Sequence, residues 1–200
     1  MFGISIIKSS TTRLGWAVHP SLQIGLHKKD LELLKEIQAT LGGVGSISEK
    51  PSMVYFRVQS LKQIHDVIIP YFDKYPLITQ KLGDYILFRE IVIKMVQKEH
   101  LNKAGLQAIV NIRASLNLGL SESLKEAFPE TIPVSRPLVD KSKIPDPEWI
   151  AGFTSGEGCF YIGVLNTPDR RLGVRVTIKF MITQHIRDEL LLSSLVDYFG

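Results

Sequence analysis

Cysteine is almost absent from this chain, since Cys159 is the only one among 200 residues. A single thiol excludes an intrachain disulfide and a zinc site built from several cysteines. Long apolar runs are absent as well: no hydrophobic stretch approaches the ~20 residues that span a bilayer. The first residues, MFGISIIKSS, lack the basic-then-apolar pattern of a secretory signal. We therefore expect neither a disulfide scaffold nor a membrane partner.

Neither sign of charge dominates the sequence. Lysine and arginine number 24 against 20 acidic residues, which gives a net charge of +4. This mild basic bias permits a nucleic acid or an anionic surface as partner without requiring either. Hydrophobic residues make up 44% of the chain and charged residues 22%. Such a composition supports a packed core and argues against disorder.

An internal duplication is the strongest feature of the sequence. Moving the chain by 158 positions lays residues 1–42 over residues 159–200 without a gap, and twelve positions are identical. Each copy is predicted to be strand, turn, strand and helix, because apolar residues alternate along both strands and an amphipathic helix follows. In the first copy that helix begins near Asp30, a plausible N-cap.

The rest of the chain extends the first copy. Residues 46–59 are predicted to form a strand hairpin, and helices are predicted near 60–73, 79–99, 103–116 and 121–128. Residues 129–147 contain five prolines and are typical of an extended linker. We therefore expect a first repeat at 1–128, a linker at 129–146 and the start of a second repeat at 147–200. The fold class is α+β, with antiparallel strands in each repeat.

The stretch PDPEWIAGFTSGEGCF carries the most informative chemistry. Asp146 and Pro147 favour a helix start, and the helix is predicted to end at Glu157, between Gly156 and Gly158. A carboxylate beside the negative end of a helix dipole is mildly destabilising. A divalent cation bound by Glu157 and nearby carbonyl oxygens removes that conflict. The alternative is a solvated helix-end residue, and the residues alone leave both interpretations open.

Several segments together resemble one known family. WIAGFTSGEGCF is similar to the signature of the LAGLIDADG homing endonucleases, and VTIKFMITQH, LITQKLGDYILF and IRASLNLGLSESLKEAFPE agree with it in order. The resemblance covers essentially the whole chain and is closest to the two-repeat, intron-encoded enzymes of fungal mitochondria. It implies a pseudo-two-fold pair of αββαββα units. Their antiparallel sheets form a DNA-binding saddle, and the helices lie on the opposite face.

The family's site residues carry over to four positions. The resemblance implies that Glu157 is the metal-binding acid, with the Gly156 carbonyl as a further ligand. Gln184 matches a polar residue that positions solvent, and Lys81 matches a basic residue that offsets charge at the reacting phosphate. Glu157, Gln184 and Lys81 are the candidate catalytic residues. The implied cofactor is Mg²⁺, with Ca²⁺ or Mn²⁺ able to substitute. Leu26 stands where Gln184 stands in the other copy, so the two halves are not equivalent.

The strand faces opposite the apolar residues are the candidate DNA-binding surface, because polar side chains read base edges and basic ones meet phosphates. A merely solvated sheet face has a similar pattern. The first repeat contributes Ser5, Ile7, Ser9, His19, Ser21, Gln23, Ser46, Ser48, Tyr55, Arg57 and Gln59. The second repeat contributes Tyr161, Gly163, Leu165, Asn166, Arg170, Arg175, Thr177 and Lys179.

Three other residues invite functional interpretations that are weaker. His27 and His185 occupy equivalent positions, but one histidine per half is a poor zinc signal, and a helix-start or packing role is favoured. Cys159 has no arranged base beside it, so packing or a groove contact is favoured over nucleophilic catalysis.

The resulting prediction is a site-specific, Mg²⁺-dependent endonuclease that hydrolyses both strands of a long double-stranded DNA target read in the major groove. Its partners are DNA and no membrane, it is monomeric when both repeats are complete, and its location is mitochondrial by resemblance. An intron RNA-splicing maturase and a non-cleaving DNA-binding remnant on the same fold are the alternatives. We expect the first signature helix to precede Met1 and the second repeat to continue past Gly200.

Overall fold

The chain contains two compact units, each with antiparallel strands and helices. The computed structural model describes residues 1–139, 144, 146–169 and 171–200. Unit 1 comprises Met1–Leu77 and Lys81–Leu138, and unit 2 comprises Ile78–Gln80 and Val139–Gly200. Within these described ranges, no helix combines the length and apolar character needed to cross a membrane.

Unit 1 contains four strands and six helices. The strands are β1 (Phe2–Lys8), β2 (Trp16–His27), β3 (Ser46–Glu49) and β4 (Met53–Val58). The helices are α1 (Leu31–Thr40), α2 (Leu61–Gln63), α3 (Ile69–Lys74), α4 (Lys81–Val96), α5 (Lys103–Ala114) and α6 (Glu122–Ala127). Short 3₁₀ turns cover Lys28–Asp30 and Glu99–Leu101, and a π turn at Ile64–Ile68 joins α2 to α3. The predicted strands and helices are confirmed, with ends displaced by a few residues.

The four strands form one antiparallel sheet in the order β1-β2-β4-β3. The register pairs Ile6 with Val18 and Ile24 with Phe56, so the apolar residues of neighbouring strands share one face. Because side chains alternate between the two sides of a strand, this pairing puts the polar residues together on the other face. The sheet is therefore sided, as the sequence alternation predicts.

Helices α4 and α5 cover the apolar face of this sheet. The Phe2 ring lies 5.3 Å from the ring of Phe88 and 5.3 Å from that of Tyr85, both on α4. Arg113 of α5 donates from Nε to the Ile4 carbonyl at 2.8 Å, which fixes the helix to the sheet edge. The core of unit 1 thus joins the first strand to helices more than eighty residues further along the chain.

The π turn between α2 and α3 has a local cause in Pro70. Proline has no backbone N–H to donate, and in a regular helix its ring would clash with the carbonyl four residues earlier. The wider turn, in which the Ile69 N–H reaches the Ile64 carbonyl, relieves that crowding and lets the helical run continue to Lys74.

The proline-rich segment that follows α6 lies against unit 1. The Ser115 hydroxyl donates to the Val134 carbonyl at 2.5 Å, and the Ile132 N–H donates to Asn111 Oδ1 at 3.2 Å. Gly83 of α4 makes this approach possible, because a Cβ there would lie 2.8 Å from the Pro137 carbonyl oxygen. The segment up to Leu138 belongs to unit 1.

Unit 2 contains a two-stranded antiparallel hairpin between two helices. Its elements are α7 (Pro147–Glu157), β5 (Gly158–Asn166), β6 (Val174–Ile182), a 3₁₀ turn at Ile186–Asp188 and α8 (Glu189–Phe199). Asp146 Oδ1 accepts the Trp149 N–H at 2.7 Å, and Pro147 occupies the first helical position. The predicted helix start at Asp146 and Pro147 is therefore confirmed.

The duplication is visible down to individual hydrogen bonds. In the turn between β1 and β2 the Ser9 N–H donates to the Gly15 carbonyl at 2.9 Å. In the turn between β5 and β6 the Thr167 N–H donates to the Gly173 carbonyl at 2.8 Å. Gly15 and Gly173 have φ values of 74° and 65°, a region that favours glycine. The two identical glycines of the repeat thus close equivalent strand-to-strand turns.

The two histidines at equivalent positions begin the helices that follow β2 and β6. His27 Nδ1 accepts the Lys29 N–H and His185 Nδ1 accepts the Arg187 N–H, both at 3.2 Å. The favoured helix-start role is confirmed. Asp30 makes no side-chain capping bond, so the expectation that it caps α1 is wrong. The 3₁₀ turn at Lys28–Asp30 starts the helical path earlier, and His27 supplies the cap.

Candidate active site and nucleic-acid interface

The outer face of the unit 1 sheet brings together the residues predicted to bind DNA. Ser5 pairs with His19, Gln23 with Arg57, and Ser48 with Tyr55. The remaining predicted strand residues of this face are Ile7, Ser21 and Ser46, which follow the same alternation. Ser9 and Gln59 lie just beyond the ends of β1 and β4. The predicted residues of this face are polar and exposed or half-buried, apart from Ile7, the one large apolar side chain that is exposed on β1.

Three side chains on this face form a connected group. Arg57 donates from Nε to Gln23 Oε1 at 2.7 Å, and its guanidinium carbon lies 4.9 Å from the centre of the Tyr55 ring. Across from Tyr55, Ser48 Oγ is buried without a hydrogen-bond partner among the described residues. Such an atom is a point where a ligand or an ordered water can bind.

The outer face of the unit 2 hairpin carries most of the residues predicted for the second repeat. Tyr161 pairs with Lys179, Gly163 with Thr177 and Leu165 with Arg175. Lys179 Nζ lies 5.8 Å from the centre of the Tyr161 ring. This face thus also places a cation beside an aromatic ring, although at positions that match Gly3 and Ser21 of unit 1 and not Tyr55 and Arg57.

Asn166 and Arg170 are the two predicted residues of the second repeat that are not among the outer-face pairs of β5 and β6. Asn166 pairs with Val174 at the end of β5, and alternation puts it on the side of Val164 rather than that of Tyr161. The prediction placed it on the outer face, whereas the strand continues regularly through Asn166 and puts it on the opposite side. Arg170 lies outside the described residues.

Glu157 is the last residue of α7, directly before β5. Gly156 and Glu157 are both exposed, and a Cβ at Gly152 or Gly156 would meet no atom within 4 Å. The described part of the chain contains no cluster of three or more His, Cys, Asp or Glu able to hold a metal. One carboxylate and nearby carbonyl oxygens nevertheless suit a hard divalent cation that completes its shell with phosphate and water.

Gln184 lies at the same end of the hairpin as Glu157. Gly158 pairs with Ile182, so the chain that enters β5 and the chain that leaves β6 run side by side there. Gln184 is half-buried two residues after the end of β6. Within unit 2 the structure therefore brings two of the three predicted catalytic residues to one end of the hairpin.

Lys81 is the first residue of α4 in unit 1 and is held by a buried carboxylate. Asp84, with a side chain only 2% exposed, accepts from Lys81 Nζ at 3.3 Å and from Arg136 Nη1 at 2.8 Å. The Asn117 N–H also donates to Asp84 Oδ1, at 3.0 Å. Burial raises the pKa of Asp84, but the hydrogen bonds from Arg136 and Asn117 outweigh it and the pKa lies below its usual value. Asp84 is therefore a charged anchor for the start of α4.

Sequence reasoning missed this anchor. Asp84 is three residues after Lys81 on a predicted helix, a spacing at which side chains meet, so that pair had a signal. Arg136 lies in the proline-rich segment and Asn117 in the turn after α5, and no periodic pattern links either to Asp84. Their meeting depends on how the segment after α6 folds back.

The family profile described as LAGLIDADG endonuclease matches residues 1–92 and 150–200 of this chain. The chain belongs to this family. Its matched residues include the outer sheet face of unit 1, Lys81, Glu157 and the β5–β6 hairpin. The α+β fold with two repeats and the recognition from sequence are both confirmed.

Named relatives and solved structures agree with the family assignment. A "Probable intron-encoded endonuclease 2" of Neurospora crassa is 40% identical over 211 residues, covering 100% of this chain and 45% of that protein. The LAGLIDADG homing endonuclease I-SmaMI, solved bound to cleaved DNA, matches with 42% identity and a TM-score of 0.96. That match covers 100% of this chain and 67% of the other.

A second structure of the same enzyme concerns the metal. I-SmaMI bound to an uncleaved DNA target in the presence of calcium ions matches with a TM-score of 0.97 and 42% identity, covering 100% of this chain and 68% of that one. This chain spans 45% of the length of the Neurospora relative. The activity of the whole protein is therefore a matter for proposal.

Proposed function

We propose that this protein is a site-specific DNA endonuclease that hydrolyses both strands of a long double-stranded target with the help of Mg²⁺. The observation that carries the proposal is the sided sheet of unit 1. Its apolar face is filled by α4 and α5, while its outer face presents polar side chains across all four strands. A polar face made of strands suits the major groove, which admits β-strands and where base edges differ most.

The proposed interface divides its work between two kinds of side chain. Basic residues such as Arg175 and Lys179 neutralise phosphate charge and supply affinity. Polar residues such as Ser21 and Gln23 contact base edges and supply sequence preference. The remaining predicted residues of both outer faces, including His19, Thr177 and Gly163, complete the contact surface in this proposal.

The proposed chemistry is hydrolysis of a phosphodiester bond next to Glu157. Glu157 and the Gly156 carbonyl would hold the cation, which when bound would supply positive charge for the scissile phosphate and the leaving oxygen. Gln184 hydrogen-bonds the attacking water and orients it. Lys81 is the basic residue proposed to offset charge at a reacting phosphate, and within unit 1 its Nζ pairs with Asp84 Oδ2 at 3.3 Å. Ca²⁺ and Mn²⁺ fit the same oxygen donors.

The proposed setting follows from the relatives. Their names describe intron-encoded endonucleases of fungi, and we place this protein in a fungal mitochondrion, acting as a monomer once both repeats are complete. Its proposed partner is double-stranded DNA. Intron RNA is the partner if the protein is instead a maturase.

The test compares Glu157→Gln with the wild-type chain. Cleavage is measured on a plasmid library of randomised inserts with Mg²⁺, and binding is measured on the same DNA with Ca²⁺. We expect Glu157→Gln to lower cleavage by at least about a hundredfold, because the cation loses its carboxylate. DNA affinity is expected to stay within about threefold, because base and phosphate contacts carry it.

Glu148→Gln is the matched control, since Glu148 is an exposed carboxylate in the first turn of the same helix. It should cleave like the wild-type protein. Equal cleavage by Glu157→Gln and the wild-type protein would contradict the assigned site. DNA binding without any cutting identifies a non-cleaving remnant, and tight binding to structured intron RNA alone identifies a maturase.

A further inference from the structure

The Arg57 cluster, which we define as Gln23, Gly25, Tyr55 and Arg57, holds one guanidinium in a fixed position on the outer sheet face. Gln23 and Arg57 are direct partners across β2 and β4. The hydrogen bond from Arg57 Nε to Gln23 Oε1, at 2.7 Å, fixes one edge of the guanidinium. The Tyr55 ring, 4.9 Å from the guanidinium carbon, supports it from one side.

The absence of a side chain at Gly25 leaves room for the Tyr55 ring. Gly25 is the partner of Tyr55 across the strands, and a Cβ at Gly25 would lie 2.9 Å from Tyr55 Cε1. The Tyr55 ring therefore lies over the backbone of β2 at Gly25. In that position it contacts the guanidinium of Arg57. Any larger residue at Gly25 must displace the ring, because contacts under 3.0 Å are essentially never seen for a real Cβ.

The two terminal nitrogens of Arg57 remain as donors. Nε is taken by Gln23, and neither Nη1 nor Nη2 donates to another described residue in a recorded hydrogen bond. Two parallel N–H groups at the end of a rigid planar fork match a ligand with two adjacent acceptors. In the major groove guanine offers such a pair, O6 and N7, whereas adenine presents one acceptor and one donor.

We propose that the Arg57 cluster reads a single guanine in the major groove of the target, with Arg57 as the specificity-determining residue and Gln23, Gly25 and Tyr55 as positioning residues. This inference rests on the proposed function. Because the cluster is assembled before DNA arrives, binding does not have to order the long arginine side chain, and discrimination at that base pair is correspondingly sharp.

The outer face of unit 2 also has an aromatic ring beside a cation, but at positions that do not correspond to the Arg57 cluster, since Tyr161 and Lys179 match Gly3 and Ser21 in the repeat. There Tyr161 again carries a cation, but it is Lys179, whose Nζ lies 5.8 Å from the ring centre. A lysine is a compact point charge on a flexible stem, so its contact with a base edge is less fixed in geometry than that of a planar guanidinium. The Arg57 cluster depends on β4, which has no counterpart among the described residues of unit 2.

The experiment is a binding-site selection with the 200-residue chain. A randomised duplex library is selected in Ca²⁺ with the wild-type protein and with Arg57→Ala, Arg57→Lys, Gly25→Ala and Arg89→Ala in parallel. Arg89 is the control for loss of one positive charge, since it lies on α4 and pairs with Asp73. Circular dichroism melts verify that each variant is folded.

We expect the wild-type protein to favour guanine at one position by about 5- to 150-fold. Arg57→Ala should flatten that position alone, Arg57→Lys and Gly25→Ala should weaken it partially, and Arg89→Ala should leave it unchanged. Replacing that guanine by 7-deazaguanine, which lacks the N7 acceptor, should reduce wild-type affinity and leave Arg57→Ala unaffected.

Two results overturn the inference. If Arg57→Ala weakens binding equally for all sequences and lowers the salt dependence by about one ion, Arg57 contacts a phosphate and the guanine assignment is wrong. That result leaves the proposed function standing. If the wild-type protein selects no DNA sequence at all, the proposed function fails and the inference fails with it.

Discussion

The two copies of the strand pair carry the same apolar alternation in different surroundings. Phe2, Ile4 and Ile6 of unit 1 are 5%, 4% and 6% exposed, whereas their equivalents Phe160, Ile162 and Val164 in unit 2 are 79%, 71% and 63% exposed. In unit 1 the face is covered by helices from residues 81–114. Among the described residues of unit 2, only α7 and α8 accompany the hairpin. The duplicated segment therefore specifies the strands, while burial depends on helices from elsewhere in the chain.

The largest expected effect comes from truncating the matched phenylalanines. Phe2→Ala should lower the free energy of unfolding by about 3–5 kcal/mol, because the ring packs against Phe72, Tyr85 and Phe88. Phe160→Ala should cost about 1 kcal/mol, since the ring is exposed and, among the described residues, its one ring contact is with Phe180 at 5.0 Å. Urea unfolding measures both.

Local probes make this comparison clean. The two tryptophans are Trp16 in unit 1 and Trp149 in unit 2, so each can be removed to leave a single reporter. Equal losses for Phe2→Ala and Phe160→Ala would mean that the exposed face of unit 2 is covered in solution, and the contrast between the units would disappear.

An intermediate effect is expected from Asp84. Asp84→Asn should cost about 1–3 kcal/mol at neutral pH, because Arg136 and the Asn117 N–H lose a charged acceptor. The folded-state pKa of Asp84 is lowered, so its contribution is complete above the unfolded pKa and is lost as pH falls through the folded pKa. The difference between wild-type and variant should therefore shrink in acid, as measured by urea unfolding at pH 7, 5 and 3.

Asp169→Asn is the control for this acid series. Asp169 is an exposed carboxylate in the turn of the unit 2 hairpin, and its replacement should change stability by no more than about 0.5 kcal/mol. If the difference in free energy of unfolding between wild-type and Asp84→Asn stayed constant across the pH range, the loss of stability would come from altered packing and not from the lost charge.

Two glycines within helices should respond to alanine with opposite signs, and the effect at Gly152 is the smaller of the two. Gly83→Ala should destabilise by about 1–3 kcal/mol, because the new Cβ lies 2.8 Å from the Pro137 carbonyl oxygen. Gly152→Ala on α7 meets no atom within 4 Å and should stabilise by about 0.5–1 kcal/mol through helix propensity. Thermal melts of both variants measure these changes in stability. A lower melting temperature for Gly152→Ala would mean that another segment packs closely against α7.

Local pattern was enough to predict the strands, the helices and the repeat. Alternation identified the outer face of the unit 1 sheet residue by residue, because a period of two leaves no choice once the apolar face is known. The signature segment likewise located Glu157 at the end of a helix. These features depend on neighbours within a few residues, which is the range that a sequence pattern encodes.

Contacts between distant segments were beyond that range. The meeting of Asp84 with Arg136 joins residues 52 positions apart, and Arg136 lies in a segment that was expected to be an extended linker. The capping of the 3₁₀ turn by His27 instead of Asp30 depends on backbone angles that composition does not fix. The support of Arg57 by Tyr55 requires the space above Gly25, which only the strand register reveals.

The scarcity of cysteine has a practical consequence for the unmodified chain. Cys159 is exposed and lies two residues after Glu157, on the strand position that pairs with Met181. Alkylation with a maleimide therefore attaches one reporter at one known position without any engineered substitution. The rate of this alkylation can be followed by mass spectrometry during titration with DNA. A lower rate would mean that DNA shields the end of the hairpin beside Glu157 from solvent.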